Sequence, residues 1–261
     1  DDIEKCIKAP LEMVMCDNCT LLQLKHTAPQ ELLYARYYWY KSGITETMRS
    51  ALLDITSKVE KNFNLKEGDV VLDIGSNDGT LLRSYTVPGL ITVGVEPADN
   101  LVEEGKQGIT HHIHDFWNYD AYNQVLHKKA KIITAIGMFY DMEDPNQFIS
   151  DSEKVLKKDG VFIAQLMCLK NMLDSNDVGN ICHEHLEYYS FKSLEYLFKN
   201  NGLEIFDVEI NNVNGGSYRV FAKKIGETIQ KRKGAHKRMQ DVRRSEIGLD
   251  TKKIHLDFYN R

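Results

Sequence analysis

The sequence predicts an α/β fold: a doubly wound, mostly parallel sheet with an antiparallel edge, preceded by a small N-terminal module. Three observations carry this. From Val70 to Met167, short apolar runs alternate with stretches of helical character, the pattern of repeated βαβ units. The first of these runs leads into "DIGSNDGT", a glycine-bearing turn between a strand and a helix. Two later runs, "LEIFDVEI" and "SYRVFAKK", are separated by "NNVNGG" and read as an antiparallel pair.

Taken in order, residues 1–33 hold Cys6 and the pair Cys16-Asp-Asn-Cys19. Residues 34–66 hold the aromatic cluster "YARYYWYKSG". A helix follows from Thr45 to about Asn62, with Met48, Leu52, Leu53, Ile55 and Val59 near helical spacing. Residues 67–224 are the main domain. Its strands are "VVLDIG", "LITVGVE", "ITHHIH", "AKIITAIGMF" and "VFIAQLM", each a short apolar run. Between them "TLLRSY", "NLVEEGKQ" and "PNQFISDSEKVLKKDG" read as helices, the last closed by its glycine. "FKSLEYLFKNNG" is a further helix before the closing pair of strands. Residues 225–261 read as a helical extension, and the basic run 223–244 as a solvated helix.

Composition narrows the class. With 261 residues, 42% hydrophobic and 27% charged, the protein is an ordinary globular one of one large domain with appendages or two small ones. A net charge of −5 gives no support to nucleic-acid binding. No apolar run approaches the ~20 residues of a membrane span. Five cysteines, an odd number, do not read as a secreted disulfide framework, so a reducing cytoplasm is expected. The sequence opens at Asp1 without methionine and is expected to be a piece of a longer protein.

The most informative loop is "VLDIGSNDGTLL", residues 71–82. A strand ends near Asp73, and Gly75, Ser76, Asn77 and Gly79 lead into a helix. Ligands of open α/β sheets sit beyond the carboxyl ends of the strands, where glycine lets the backbone approach. The spacing is Gly-x-x-x-Gly rather than the Gly-x-Gly-x-x-Gly that cradles a pyrophosphate. The second strand ends in "GVEPADN", where Glu96, followed by Pro97, is placed to accept hydrogen bonds from both hydroxyls of a ribose. Two acidic strand ends and no phosphate cradle fit S-adenosylmethionine, with Asp73 near its amino-acid part. The alternative is that Asp73 merely neighbours a helix start and Glu96 is a surface charge. Asp115 and Phe116 in "HDFW" are candidates for the adenine. The "GMFYDMEDP" stretch, with Met138, Tyr140 and Asp141, follows the fourth strand, where methyl donor and acceptor meet in such folds.

These motifs and several others resemble, in the same order, the sugar C-methyltransferases that act on nucleotide-linked keto-sugars. "PLEMVMCDNCTLLQL" is similar to the end of that family's N-terminal zinc module, and "YYWYKSG" to its Tyr-x-Tyr-x-Ser segment. "VLDIGSNDGTLL" and "GVEPADN" are similar to its adenosylmethionine motifs, and "HEHLEYYS" and "NGGSYRVF" to its active-site and downstream motifs. The resemblance implies a Rossmann-like class I methyltransferase domain, a nucleotide-sugar acceptor and a structural zinc held in part by Cys16 and Cys19. Three features depart from it. Only one Cys-x-x-Cys is present, with Cys6 a third candidate where zinc wants about four ligands. Cys182 stands where the family often has tyrosine. The family also continues into a second α/β domain.

The segment "CHEH", residues 182–185, admits three readings: a metal site, a structural histidine pair, or acid–base chemistry. The second histidine comes one residue too soon for His-Glu-x-x-His, and no third ligand is evident, which argues against metal. By the resemblance, His185 is the base that removes a proton beside a ketone, Glu184 is its neighbour, and His183 positions substrate. Imidazole titrates near ~6.5, which suits that task. Tyr38, Tyr40, Asn214 and Ser217 are candidate donors to the enolate oxygen. Arg219 is a candidate for the diphosphate, with a strand-edge ion pair as the alternative. An O- or N-methyltransferase on a related metabolite, and a cofactor-binding module without turnover, are the competing functions.

Overall fold

The computed structural model describes residues 8–229 and 232–261. Cys6 lies outside them. Strands β1 (Met13–Met15) and β2 (Leu22–Leu24) form a hairpin whose turn carries Cys16 and Cys19. Helix α1 (Glu46–Phe63) starts at Thr45, whose side chain accepts from the Met48 amide, and stops at Asn64 in the left-handed region. Strands β3 (Val70–Ile74), β4 (Ile91–Val95), β5 (His111–Ile113), β6 (Ala130–Ile136) and β7 (Leu156–Met167) follow. Helices α2 (Thr80–Arg83), α3 (Val102–Gly105), α4 (Tyr119–Val125) and α5 (Pro145–Val155) lie between them. Then come α6 (Leu169–Ser175), β8 (Glu187–Tyr188), α7 (Phe191–Asn200), β9 (Leu203–Asn211), β10 (Ser217–Lys224), α8 (Ala235–Ser245) and α9 (Lys252–Tyr259).

Seven strands form one sheet in the order β5-β4-β3-β6-β7-β10-β9. All run parallel except β10, which pairs antiparallel with both β7 and β9. The mostly parallel, doubly wound α/β expectation therefore holds, although the reversed strand is inserted one place in from the edge. Alternate residues of the central strands serve opposite faces, as a pleated strand requires. Ile132, Val161 and Ile163 pack with Leu52, Ile55 and Val59 of α1. Ile133, Phe162 and Ala164 pack with Phe148 and Ile149 of α5 and Phe198 of α7.

Three boundaries differ from the sequence reading. Helix α5 ends at Val155, because Leu156 already pairs with Ala130 as part of β7. The register then jumps to Ile132–Val161, so the "KKDG" expected to end the helix bulges out of the strand. The basic run is not one solvated helix. Lys224 closes β10, and α8 begins only at Ala235 and packs on β9, where Arg238 pairs with the fully buried Asp207. The N-terminal hairpin also joins the domain directly, since β2 pairs with β8 and forms a second, three-stranded sheet.

Gly79 is the residue on which the β3–α2 turn depends. It caps α2 with φ of 78°, and a Cβ there would lie 2.8 Å from the Gly105 carbonyl. Gly79→Ala is expected to cost about 1–3 kcal/mol through left-handed strain and that contact. Urea unfolding of the variant against the wild type measures it.

Candidate active site

The strand order reverses between β3 and β6, and there the loops beyond the carboxyl ends part to form a cavity of about 550 Å³. Gly75 and Asn77 line it from the loop after β3, Glu96 and Pro97 from the loop after β4, and Asp115 and Phe116 from the loop after β5. Met138, Tyr140 and Asp141 line it from the loop after β6. The approach is close: a Cβ on Gly75 would meet Met138 Cγ at 2.8 Å.

Glu96 is 5% exposed. Its Oε2 accepts from the Asn77 amide at 2.9 Å and its Oε1 from the Ala98 amide at 3.0 Å. Burial pushes this carboxyl up, and the two amides oppose that shift. Each oxygen keeps a second lone pair, the requirement for a two-hydroxyl ligand.

Asp73 is placed differently from the expectation. It lies beneath the loop, off the cavity wall, with Thr134 Oγ1 donating to its Oδ1 at 2.6 Å. Burial pushes its carboxyl up to about 8, against the Thr134 hydrogen bond and with a smaller contribution from Glu96. An unfolded aspartate titrates near ~3.9. Because the folded value is the higher one, the group's stabilising contribution is complete below about pH 4 and is lost as pH rises through about 8. The wild type should therefore lose stability across that window relative to Asp73→Asn, as unfolding titrations at several pH values would record. Ser76 is buried beside Gly94, and its hydroxyl has no partner among the described residues.

The aromatic segment forms a strap over this loop. Asn77 Nδ2 donates to the Tyr40 carbonyl at 3.0 Å, and its Oδ1 accepts from the Ser42 amide at 2.9 Å. Asp78 Oδ2 accepts from the Gly43 amide at 2.6 Å. The Asn100 side chain bonds both backbone groups of Tyr38, at 2.9 and 3.1 Å. Tyr38 and Tyr40 line the cavity, whereas Tyr37 and Trp39 do not, and of the four only Tyr38 is not largely exposed.

The "CHEH" segment is a turn that runs into β8. His185 Nδ1 lies 2.8 Å from the Asn180 carbonyl. A carbonyl only accepts, so Nδ1 carries the proton and the neutral ring keeps its lone pair on Nε2. The ring packs edge-to-face on Tyr140, with centroids 4.7 Å apart. His185 itself is not a wall residue; it joins the cavity through Tyr140. The ring is thus oriented by a backbone carbonyl and not by Glu184, which is exposed and whose own carbonyl accepts from Tyr34 at 2.8 Å. His183 Nε2 bonds the Ala9 carbonyl at 2.6 Å, away from the cavity wall. The carboxyl beside His185 is Asp141, only 6% exposed; burial holds it well above the usual range, and His185 opposes that shift.

Of the remaining candidates, Asn214 lines the cavity in a left-handed conformation with φ of 50°. Ser217 is buried and donates to the Val213 carbonyl at 2.8 Å. Arg219 is 3% exposed, and its charge is already committed to Asp54 at 2.7 Å and to Gln165 Oε1 at 2.9 Å. This is the ion-pair alternative, and it leaves no free guanidinium for a diphosphate. The sequence reading passed over Tyr34 and Gln165. Tyr34 opens the aromatic cluster, and Gln165 is the polar residue in an otherwise apolar strand, so each carried a signal.

Cys16 and Cys19 share the hairpin turn. The amides of Cys19 and Asn18 pull the Cys16 thiol down, and burial pushes Cys19 up. Among the described residues no group of three or more His, Cys, Asp or Glu side chains is placed to hold a metal. Two thiols do not complete a four-ligand zinc site. Among those residues also, no helix is long and apolar enough to cross a membrane.

Comparison with known proteins agrees with this geometry. Residues 44–208 match the family described as a methyltransferase domain. The C-methyltransferase NovU of Streptomyces niveus is 31% identical over 218 residues, 82% of this chain and 51% of that protein. The sequence therefore spans about half the length of this relative. Among solved structures, an S-adenosylmethionine-dependent methyltransferase from Clostridium acetobutylicum superposes with a TM-score of 0.52 at 16% identity, over 70% of this chain and 94% of that one. The [4+2]-cyclase SpnF gives 0.51 at 15% identity, over 74% and 88%. At such identities the likeness is one of fold, and SpnF illustrates that this fold hosts more than one chemistry. The family match, the strand order and the cavity at the switch point together establish that the chain belongs to the methyltransferase-domain family.

Proposed function

We propose that this protein methylates a carbon of a nucleotide-linked keto-sugar, using S-adenosylmethionine as donor and His185 as base. One observation carries the reading: His185, with its proton fixed on Nδ1 and its lone pair on Nε2, packs on Tyr140 of the same cavity that Glu96 lines. S-adenosylmethionine, when bound, supplies an electrophilic methyl on a sulfonium. The residues suited to hold it are Glu96 for the ribose, Asp115 and Phe116 for the adenine, and the Gly75–Asn77 backbone for close approach. The sulfonium methyl needs a carbon nucleophile, and a carbon beside a ketone becomes one when a base removes its proton. The name of the Streptomyces relative, a C-methyltransferase, favours the same reaction type.

The test is product analysis with a carbon-13-labelled methyl donor and a panel of nucleotide-linked keto-sugars. A labelled methyl bonded to carbon is the expected result. A methoxy or N-methyl signal would move the protein to O- or N-methylation, and cofactor binding without any product would make it a binding module.

A further inference from the structure

We propose that Tyr140 is a catalytic residue whose hydroxyl donates a hydrogen bond to the acceptor's carbonyl oxygen and holds the enolate that His185 generates. The proposal rests on the keto-sugar reading above and supplies what that reading lacks, a donor beside the base for the developing negative charge. Tyr140 lies in the short 3₁₀ turn Phe139–Asp141, directly after β6. The turn is held on both sides. Phe139 stacks on Tyr189 with centroids 5.5 Å apart, and the Tyr140 carbonyl accepts from the Leu186 amide at 2.8 Å. Leu186 is the residue after His185, so phenol and imidazole are fixed to the same piece of backbone. Their rings meet at 4.7 Å and 80°.

The competing hydroxyls near the turn are occupied. Tyr34 donates to the Glu184 carbonyl, Tyr188 to the Asn180 carbonyl and Ser217 to the Val213 carbonyl. The Tyr189 hydroxyl is enclosed. Tyr38 and Tyr40 line the cavity from the strap, whose backbone is bound to Asn100 and Asn77 on the Glu96 side. Tyr140 is 6% exposed yet forms part of the cavity wall, and its hydroxyl has no hydrogen-bond partner among the described residues. The oxygen is not one of the enclosed, unpartnered atoms, so it stays accessible from the cavity, where an acceptor on a ligand can reach it. Burial, with Asp141 adding to it, pushes the phenol's pKa far up, which keeps the proton on oxygen and makes Tyr140 a donor and not a base.

His185 Nε2 takes the proton from the carbon beside the ketone. The C–H electron pair becomes a carbon–carbon double bond, and the carbonyl π pair moves to oxygen, which accepts from the Tyr140 O–H. The enolate carbon then closes a bond to the methyl, the carbon–sulfur pair stays on sulfur, and His185 is left protonated. Tyr140 gains and loses no proton.

Tyr140→Phe removes only the unpartnered oxygen, so the fold and the cofactor pocket should persist. Calorimetry should give an adenosylmethionine affinity within about twofold of wild type, while kcat falls about 100- to 1,000-fold, as for loss of one oxyanion donor. KM should change far less than kcat. Deuterium exchange at the reacting carbon should slow by a similar factor, because enolate formation is the step served. Tyr140→Phe with kcat and exchange both within about threefold of wild type overturns the proposal. So does slowed methylation with wild-type exchange. If His185→Ala is inactive in either case, the keto-sugar reading survives the loss of Tyr140's role. A wild type that neither exchanges nor methylates any keto-sugar overturns the reading and the proposal together.

Discussion

His185→Ala should lose about 100- to 10,000-fold in turnover on the correct keto-sugar, the usual contribution of a positioned acid–base group. Adenosylmethionine should bind the variant normally, because His185 is off the cavity wall and touches it through Tyr140. His183→Ala should be milder. Its ring bonds the Ala9 carbonyl, so its loss loosens the N-terminal segment against the turn without removing a base. Steady-state rates with cofactor calorimetry separate the two. A His185→Ala enzyme of full activity would place the base elsewhere.

The second large effect is at Glu96. On the adenosylmethionine reading, Glu96→Ala removes two charged acceptors for the ribose hydroxyls, each worth ~1.5–3 kcal/mol. It also frees the Asn77 and Ala98 amides that the carboxylate now fixes. The dissociation constant for adenosylmethionine should rise at least about 100-fold, since ~1.4 kcal/mol is a factor of ten. Glu96→Gln keeps one acceptor oxygen and should lie between. Unchanged affinity in Glu96→Ala, or a preference for NAD, would remove the adenosyl reading.

What the sequence made legible was local. Val70–Ile74 is buried along its whole length and ends at a glycine turn, so strand, loop and cavity followed from one short stretch. Glu96 was legible for the same reason: a carboxylate at a strand end has its place fixed by the strand. Groups whose partners are distant in sequence were not legible. For Arg219 the diphosphate and the ion pair both stayed open because Asp54, its partner, belongs to α1. The orientation of His185 comes from a backbone carbonyl at Asn180, which no side-chain pattern records, and the neighbouring Glu184 drew attention in its place. The hairpin around Cys16 read as a separate module because its pairing with β8 is long-range. The α5–β7 boundary was misread because Gly160 resembles a helix stop, whereas Leu156 pairs with Ala130 and draws the backbone into the sheet.

Deuterium exchange at the carbon beside the ketone tests the base most directly. The wild-type protein and His185→Ala are each incubated with the keto-sugar nucleotide in heavy water, without methyl donor, and proton spectra are followed. Signal loss at that carbon, catalysed by the wild type and absent with His185→Ala, is the expected result. Methylation of the same substrate with no exchange in the wild type, or equal exchange in both proteins, would contradict proton abstraction by His185.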